Sequence, residues 1–124
     1  ETQIMDPKSD ADARFFAVYL LGLSHRLEAI DALGRIALSP IPPSKNERKM
    51  EEARALRASA VEGISQNCKQ HPEAAKDKQM EVVASQTDEF LRDRANRGLY
   101  ACQYGKPIED QDREALRKVR LKTN

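Results

Sequence analysis

Residues 16–37 read FAVYLLGLSHRLEAIDALGRIA, and this stretch decides the fold. Its large apolar residues recur in steps of three and four, the spacing that places side chains on one face of an α-helix. We therefore predict a first helix over residues 10–38. Phe15, Tyr19 and Leu33 widen the apolar face, so we expect this helix to be covered on more than one side, as the central member of a bundle is. The stripe itself consists of Phe16, Leu20, Leu23, Leu27, Ile30 and Ala37.

Two glycines, Gly22 and Gly34, interrupt this predicted helix. Each costs about 1 kcal/mol relative to alanine in a helix interior. We expect each of them to mark a close helix crossing or a kink.

The composition of the whole chain favours a helical protein. Of the 124 residues, 40% are hydrophobic and 33% charged but only 5% aromatic, whereas strands favour aromatic and β-branched residues. This length suits one core and does not divide into two domains. We predict an all-α fold, an antiparallel three-helix bundle with an additional short C-terminal helix. Residues 1–124 form a single domain in this prediction, with a flexible N-terminus at residues 1–9.

A proline-rich segment follows the first predicted helix. The three prolines in residues 39–44 remove backbone donors and clash with a preceding helical turn, which predicts an interhelical turn. The spacing of Ser44 and Glu47 is typical of a capping box and begins a second helix. We expect Arg48 and Glu52 to form an ion pair on its exposed side. Its apolar face comprises Met50, Ala53, Leu56, Ala60, Val61, Ile64 and Cys68.

A third helix is predicted to start at Pro72, because proline is tolerated at the first helical position. Asp88 with Arg92 and Asp93 with Arg97 are spaced to form ion pairs on its outer face. Its apolar stripe is thinner and comprises Met80, Val83, Phe90 and Leu91.

The fate of the two cysteines, Cys68 and Cys102, depends on whether the third helix is straight. An unbroken helix of roughly 30 residues would separate them by about 45 Å, whereas a disulfide needs Cα atoms within about 7 Å. A break at Gln86–Thr87 would let the chain return far enough, and a break at Asn96–Gly98 would not. The sequence leaves two alternatives open, a disulfide in an exported protein or two separate thiols in a reducing compartment.

The charge pattern limits the partners. A net charge of +1 argues against nucleic acid or an anionic membrane as the dominant partner. A short helix is predicted over residues 109–122, docked through Leu116 and Val119, and its basic end matches the helix dipole. No run of 18 apolar residues occurs. The chain begins at Glu1 rather than Met, as an exported chain does after removal of a signal peptide.

No set of residues points to catalysis or to a bound metal. Cys68 and His71 have the spacing of half a zinc site, but zinc requires four ligands, and His25 is predicted on the surface of the distant first helix. Ser24 lacks the strand-to-helix turn and the acidic partner of a nucleophilic serine. We therefore predict no catalytic residue, no metal site and no cofactor.

Two short motifs resemble patterns in small exported bacterial helical proteins. One is Phe16-x-x-Tyr19-Leu20-Leu21-Gly22 on the first helix, and the other is Asn67-Cys68-x-x-His71-Pro72-Glu73 before the third. The chain resembles type VI secretion amidase-immunity proteins and, more distantly, periplasmic acid-stress chaperones. This resemblance implies a periplasmic protein that acts by binding another protein and has no chemistry of its own.

These observations favour a non-catalytic binding protein, exported in a bacterium, that occludes a partner such as a secreted effector enzyme. Such an inhibitor or immunity protein uses loops that a rigid scaffold positions. The candidate contact residues lie in the Pro-rich turn and after Leu99, and they are Ile41, Pro42, Pro43, Lys45, Tyr100, Gln103, Tyr104 and Lys106.

Three alternatives remain at the level of sequence. The first is a cytosolic regulatory or secretion-system adaptor that docks through the basic C-terminal helix, which free thiols would favour. The second is a periplasmic stress chaperone. The third is a structural subunit that forms a homodimer through the stripe of the first helix.

Overall fold

The computed structural model describes residues 11–104, which form five α-helices. They are α1 (Ala11–Leu23), α2 (Leu27–Leu38), α3 (Glu47–Gln66), α4 (Pro72–Ser85) and α5 (Glu89–Tyr104). This part of the chain contains no strand, so the predicted all-α class is confirmed. None of these helices is long and apolar enough to cross a membrane. The predicted N-terminus at residues 1–9 and the predicted helix at residues 109–122 lie outside the described residues.

Helix α3 lies at the centre, because each of the other four helices packs against it. The prediction that the first helix occupies the centre is wrong. Helix α3 suits this position because small residues such as Ala60 and Gly63 are buried along it and let its neighbours approach. Helix α1, by contrast, leaves one side open to solvent.

Consecutive helices alternate in direction, as short connections require. Helix α5 runs parallel to α3, because Asp88 pairs with Arg54 near their starts and Cys102 is bonded to Cys68 near their ends. The predicted three-helix arrangement becomes one of five helices, because the first and third predicted helices each divide into two.

The first predicted helix ends at Leu23, and the next helix begins at Leu27. Between them His25 has a left-handed backbone conformation with φ of 53°, and a left-handed residue after a helix stops it. Ser24 assists, because its hydroxyl donates a hydrogen bond of 2.7 Å to the carbonyl of Leu21. The prediction of one continuous helix over this stretch is therefore wrong.

Two side chains from the α3–α4 connection hold this break in place. Nδ2 of Asn67 donates hydrogen bonds to the carbonyl oxygens of Gly22 at 3.3 Å and Gly63 at 2.8 Å. Nε2 of His71 donates to the carbonyl oxygen of His25 at 2.8 Å. Carbonyl groups at the end of α1 thus find partners far away in sequence.

The third predicted helix divides at Gln86–Thr87, the earlier of its two expected break points. The side chain of Gln86 holds this turn. Its Nε2 donates to the carbonyl of Ala37 at 2.8 Å, and its Oε1 accepts from the amide of Asp88 at 3.0 Å. The alternative break at Asn96–Gly98 is wrong, since α5 continues through it.

Close packing, and not helix breaking, explains Gly98. A Cβ atom there would meet Oγ of Ser65 and lie 2.5 Å from Nε2 of Gln79. The close crossing expected at Gly22 is confirmed, because a Cβ atom there would lie 3.0 Å from Cα of Gly63.

The early break brings the two cysteines together. Cys68 and Cys102 form a disulfide with Cα atoms 5.1 Å apart. Of the two alternatives, a disulfide or two separate thiols, the structure therefore has the disulfide. The bridge joins the connection after α3 to the last turn of α5.

Helix α3 begins two residues later than the capping box predicts. Asn46, and not Ser44, is the N-cap, since its Oδ1 accepts hydrogen bonds from the amides of Arg48 at 3.0 Å and Lys49 at 3.3 Å. Oγ of Ser44 accepts from the amide of Asn46 at 3.0 Å and so turns the chain before the helix. Both residue types are favoured N-caps, and the local pattern does not choose between them.

Asp88 ties the start of α5 to α3. Its Oδ1 accepts from the amide of Leu91 at 3.1 Å, and its Oδ2 accepts from Nε of Arg54 at 3.0 Å. The predicted pair of Asp88 with Arg92 is therefore wrong. Burial alone would raise the pKa of Asp88, but these two donors outweigh it and hold the pKa below its ordinary value. The other predicted ion pairs are confirmed, Arg48–Glu52 at 3.6 Å and Asp93–Arg97 at 3.3 Å.

The core lies between α3 and the surrounding helices. The apolar face of the second predicted helix is buried at Leu56, Ala60, Val61 and Ile64. Its other members, Met50, Ala53 and Cys68, are half-buried. The stripe of the third predicted helix is right at Val83 and Leu91 but wrong at Met80 and Phe90, which are exposed. Helix α4 instead buries a different row of side chains, which consists of Ala75, Gln79 and Val82.

Reduction of the disulfide is expected to lower the free energy of unfolding by about 3–4 kcal/mol, because the bridge spans a sequence separation of 34 residues. Urea denaturation of the full chain with and without a thiol reductant measures this change. The double variant Cys68→Ala/Cys102→Ala is the control, since the reductant should leave its stability unchanged. A wild-type chain that is equally stable in both conditions would contradict the prediction.

Asp88→Asn keeps a side chain that caps α5 but removes the charge that faces Arg54. The depressed pKa of the carboxyl means that its stabilisation is present above the unfolded pKa of about 3.9 and is lost as the pH falls through the folded value. We expect the variant to lose about 0.5–1 kcal/mol at pH 7 and almost nothing below about pH 3. Urea denaturation at both pH values tests this, with exposed Asp77→Asn as the control that should change neither.

Candidate functional site

Arg57 of α3 holds the Pro-rich turn, which we define as residues 39–44. Its Nε donates a hydrogen bond of 2.8 Å to the carbonyl of Ser39, and one terminal nitrogen donates to the carbonyl of Pro40 at 2.7 Å. The other terminal nitrogen donates to the carbonyl of Ala53 at 2.7 Å within α3. Arg57 is only 3% exposed, so its guanidinium lies beneath the turn as a fixed support.

The charge of Arg57 is linked to the shape of the turn. Burial, followed by the nearby charge of Arg14, lowers the pKa of Arg57. An arginine nevertheless stays protonated at neutral pH, so a positive charge remains inside the protein. Carbonyl dipoles of the turn compensate this charge, and they do so only while the turn keeps its conformation.

The outer side of the turn is open to solvent. Pro42, Pro43 and the following Lys45 are exposed, and Ile41 is half-buried. Proline fixes its own φ, so these residues present a preformed surface. The structure therefore places these four predicted contact residues together on one exposed loop.

The second predicted contact segment is not presented in the same way. Tyr100 is 5% exposed and packs inside the protein, whereas Gln103 is exposed. The side chain of Tyr104 and the whole of Lys106 lie outside the described residues. The segment is also distant from the turn. The turn precedes the start of α3, whereas Cys102 is bonded to Cys68, which follows the end of α3.

Sequence reasoning missed Arg57. The available signal was its position, four residues after Ala53 and four before Val61, which places a charge beside the apolar face of the second predicted helix. A charged residue on a buried face requires specific polar partners. Its partners here are carbonyl groups of a turn, which no residue pattern identifies in advance.

A second exposed surface, which we name the α1 face, is apolar. Its side chains are between 43% and 61% exposed, although they belong to the predicted core stripe or border it. The predicted stripe is therefore wrong at these exposed positions. Of the whole stripe, only Ile30 and Ala37 are buried. Helix α1 buries Val18 and Gly22 instead. The α1 face consists of Phe16, Tyr19, Leu20, Leu23 and Leu27.

The two histidines are neighbours, contrary to the prediction that they lie far apart. His25 lies in the α1–α2 connection and not on a helix, and its carbonyl bonds to His71. Cys68 is bonded to Cys102, so its sulfur is engaged. Within residues 11–104 no group of three or more His, Cys, Asp or Glu side chains is arranged to hold a metal ion.

Comparison of the chain with protein-family models, with curated proteins and with solved structures gives no match. The resemblance to amidase-immunity proteins and acid-stress chaperones thus stays a prediction from two motifs. Function has to be argued from the Pro-rich turn and the α1 face.

Arg57→Met is expected to loosen the Pro-rich turn, because methionine fills much of the same space but donates no hydrogen bond. The free energy of unfolding should fall by about 1–3 kcal/mol, and the backbone amides of Ile41 and of residues 44–46 should exchange hydrogen faster. Urea denaturation and hydrogen exchange measure the two effects. Arg48→Met is the matched control on the same helix, since Arg48 makes only an exposed ion pair. Equal effects of both changes would show that Arg57 does not support the turn.

Proposed function

We propose that this chain is a non-catalytic helical protein that binds and occludes another protein, in the manner of an exported inhibitor or immunity protein. In this proposal the Pro-rich turn is the contact loop. The observation that carries it is the arrangement in which buried Arg57 fixes the carbonyls of Ser39 and Pro40 while the prolines beyond them are exposed.

A fixed loop is suited to occlusion for an energetic reason. A loop that orders only on binding loses conformational freedom at that moment, which weakens the complex. The prolines and the Arg57 hydrogen bonds have already restricted this turn in the free protein. Binding residues are also commonly found on loops that a rigid scaffold positions.

The chemistry of the turn indicates the kind of surface that it fits. Pro42 and Pro43 offer apolar rings, and Lys45 adds a positive charge beside them. An apolar cleft with a carboxylate at its edge would complement this pattern. We propose a partner with such a cleft, for example at the active site of a secreted enzyme.

The compartment of the proposed function is the periplasm or the cell exterior. Disulfides persist in these oxidising compartments, which is consistent with the Cys68–Cys102 bridge. Free thiols would favour the adaptor alternative, which is based on docking through the predicted helix at residues 109–122. The structure contains no free thiol in residues 11–104, and the predicted helix lies outside these described residues.

Titration calorimetry with the purified products of neighbouring genes tests the proposal, because inhibitors are commonly encoded beside their targets. We expect one of these proteins to bind the wild-type chain. The variants Pro42→Gly/Pro43→Gly and Lys45→Glu should each weaken that complex by at least about tenfold, which corresponds to about 1.4 kcal/mol. The first variant removes the preformed backbone, and the second reverses the charge.

Lys69→Glu is the matched control for the charge reversal, because Lys69 is equally exposed but lies in the α3–α4 connection. It should leave the affinity unchanged. Wild-type affinity in both turn variants would remove the turn from the interface. An equal loss in Lys69→Glu would show that the effect of Lys45→Glu reports net charge and not contact.

A further inference from the structure

The α1 face has the residue spacing of a seam between two helices. Within α1, Phe16, Leu20 and Leu23 follow one another at intervals of four and three residues, and the exposed Leu27 lies beyond the break at the start of α2. Alternating steps of four and three are the pattern by which one helix packs along another. In α1 this pattern points away from α3, because the opposite side of the helix is buried there.

The α1 face has the area of the largest apolar patch on a typical small protein. Aromatic side chains each bury about 150–250 Å², so the exposed parts of Phe16 and Tyr19 together with the three leucines amount to roughly 500 Å². The largest apolar patch on a typical monomeric protein covers about 300–600 Å² and is often functional. Two such faces in contact would bury about 1,000 Å² before any flanking residue is counted, the size at which specific interfaces begin.

The charge pattern indicates what covers the face. None of its five residues is charged, and the nearest charges along the connection to α2, Arg26 and Glu28, lie 3.9 Å apart and offset each other. Asp12 lies beside the N-terminal end of the face, four residues before Phe16. A second copy of the same face matches it in polarity and in spacing, as the two halves of a symmetric interface do.

We propose that the α1 face is the contact between two copies of this chain, packed antiparallel about a two-fold axis. With the axis beside Leu20, that residue meets its own counterpart, and Phe16 of one copy lies against Leu23 of the other. The antiparallel arrangement also opposes the two helix dipoles. This interface does not involve the Pro-rich turn and does not rest on the proposed function.

Sedimentation equilibrium of the full chain over about 1–300 µM tests the proposal, because interfaces at the small end of the size range commonly form weak complexes. The wild type should form dimers as its concentration rises. Leu20→Glu and Leu20→Lys should each raise the dimer dissociation constant by about 100-fold or more, because the like charges of two copies would meet at the axis. An equimolar mixture of these two variants should form a dimer again, since opposite charges then meet.

The mixture separates a two-fold interface from simple loss of folding, because an unfolded variant would not recover. Met80→Glu is the matched control, since Met80 is an apolar residue with similar exposure on α4, and it should leave the dimer intact. A wild-type chain that stays monomeric at the highest concentration would overturn the proposal and assign the face to another segment or another protein. Variants that dimerise like the wild type, or a mixture that stays monomeric, would also overturn it.

Discussion

The rest of the structure depends on the packing of four helices around α3. A helix that contacts four others needs small residues where they cross it, and Gly63 meets this need. Cα of Gly22 and the side chain of Leu33 both approach the position where a Cβ atom of Gly63 would lie. A Cβ atom there would lie 3.1 Å from the side chain of Leu33 and 3.4 Å from Cα of Gly22, so a side chain larger than that of alanine would have no room between α1, α2 and α3.

The close packing of the helices also brings polar side chains within hydrogen-bonding distance of the connections between helices. Each helix end leaves carbonyl groups without partners inside the helix, and in this chain long polar side chains from distant segments bond to them. Asn67 reaches the end of α1, Arg57 reaches the turn after α2, and Gln86 bonds to the carbonyl of Ala37. The turns thus gain fixed shapes without a glycine at each helix end. For the Pro-rich turn, this fixed shape is what makes it suitable as a contact loop.

The sequence predicts those parts of the fold that local chemistry decides. The Pro-rich turn and the buried face of α3 follow from prolines and periodicity. The break at Gln86–Thr87 follows only if the two cysteines are bridged, which the sequence alone leaves open. The break at His25 does not follow, because the groups that hold it, Asn67 and His71, come from elsewhere in the chain. Arg57 was missed for the same reason, since its role rests on carbonyl groups that only the folded chain brings within reach.

The α1 face shows a second limit, which bears directly on function. Periodicity identifies the buried side of a helix when the other side is polar, but in α1 Val18 and Leu20 lie on different sides and both are apolar. The fold needs only one of these sides, because α1 lies at the periphery and contacts α3 through Val18 and Gly22. The second apolar side adds nothing to the packing of a single chain and raises the tendency to aggregate. A contact between molecules that covers this side would remove that tendency, so the residues that mislead a prediction of the core are also the residues of the proposed contact between two chains.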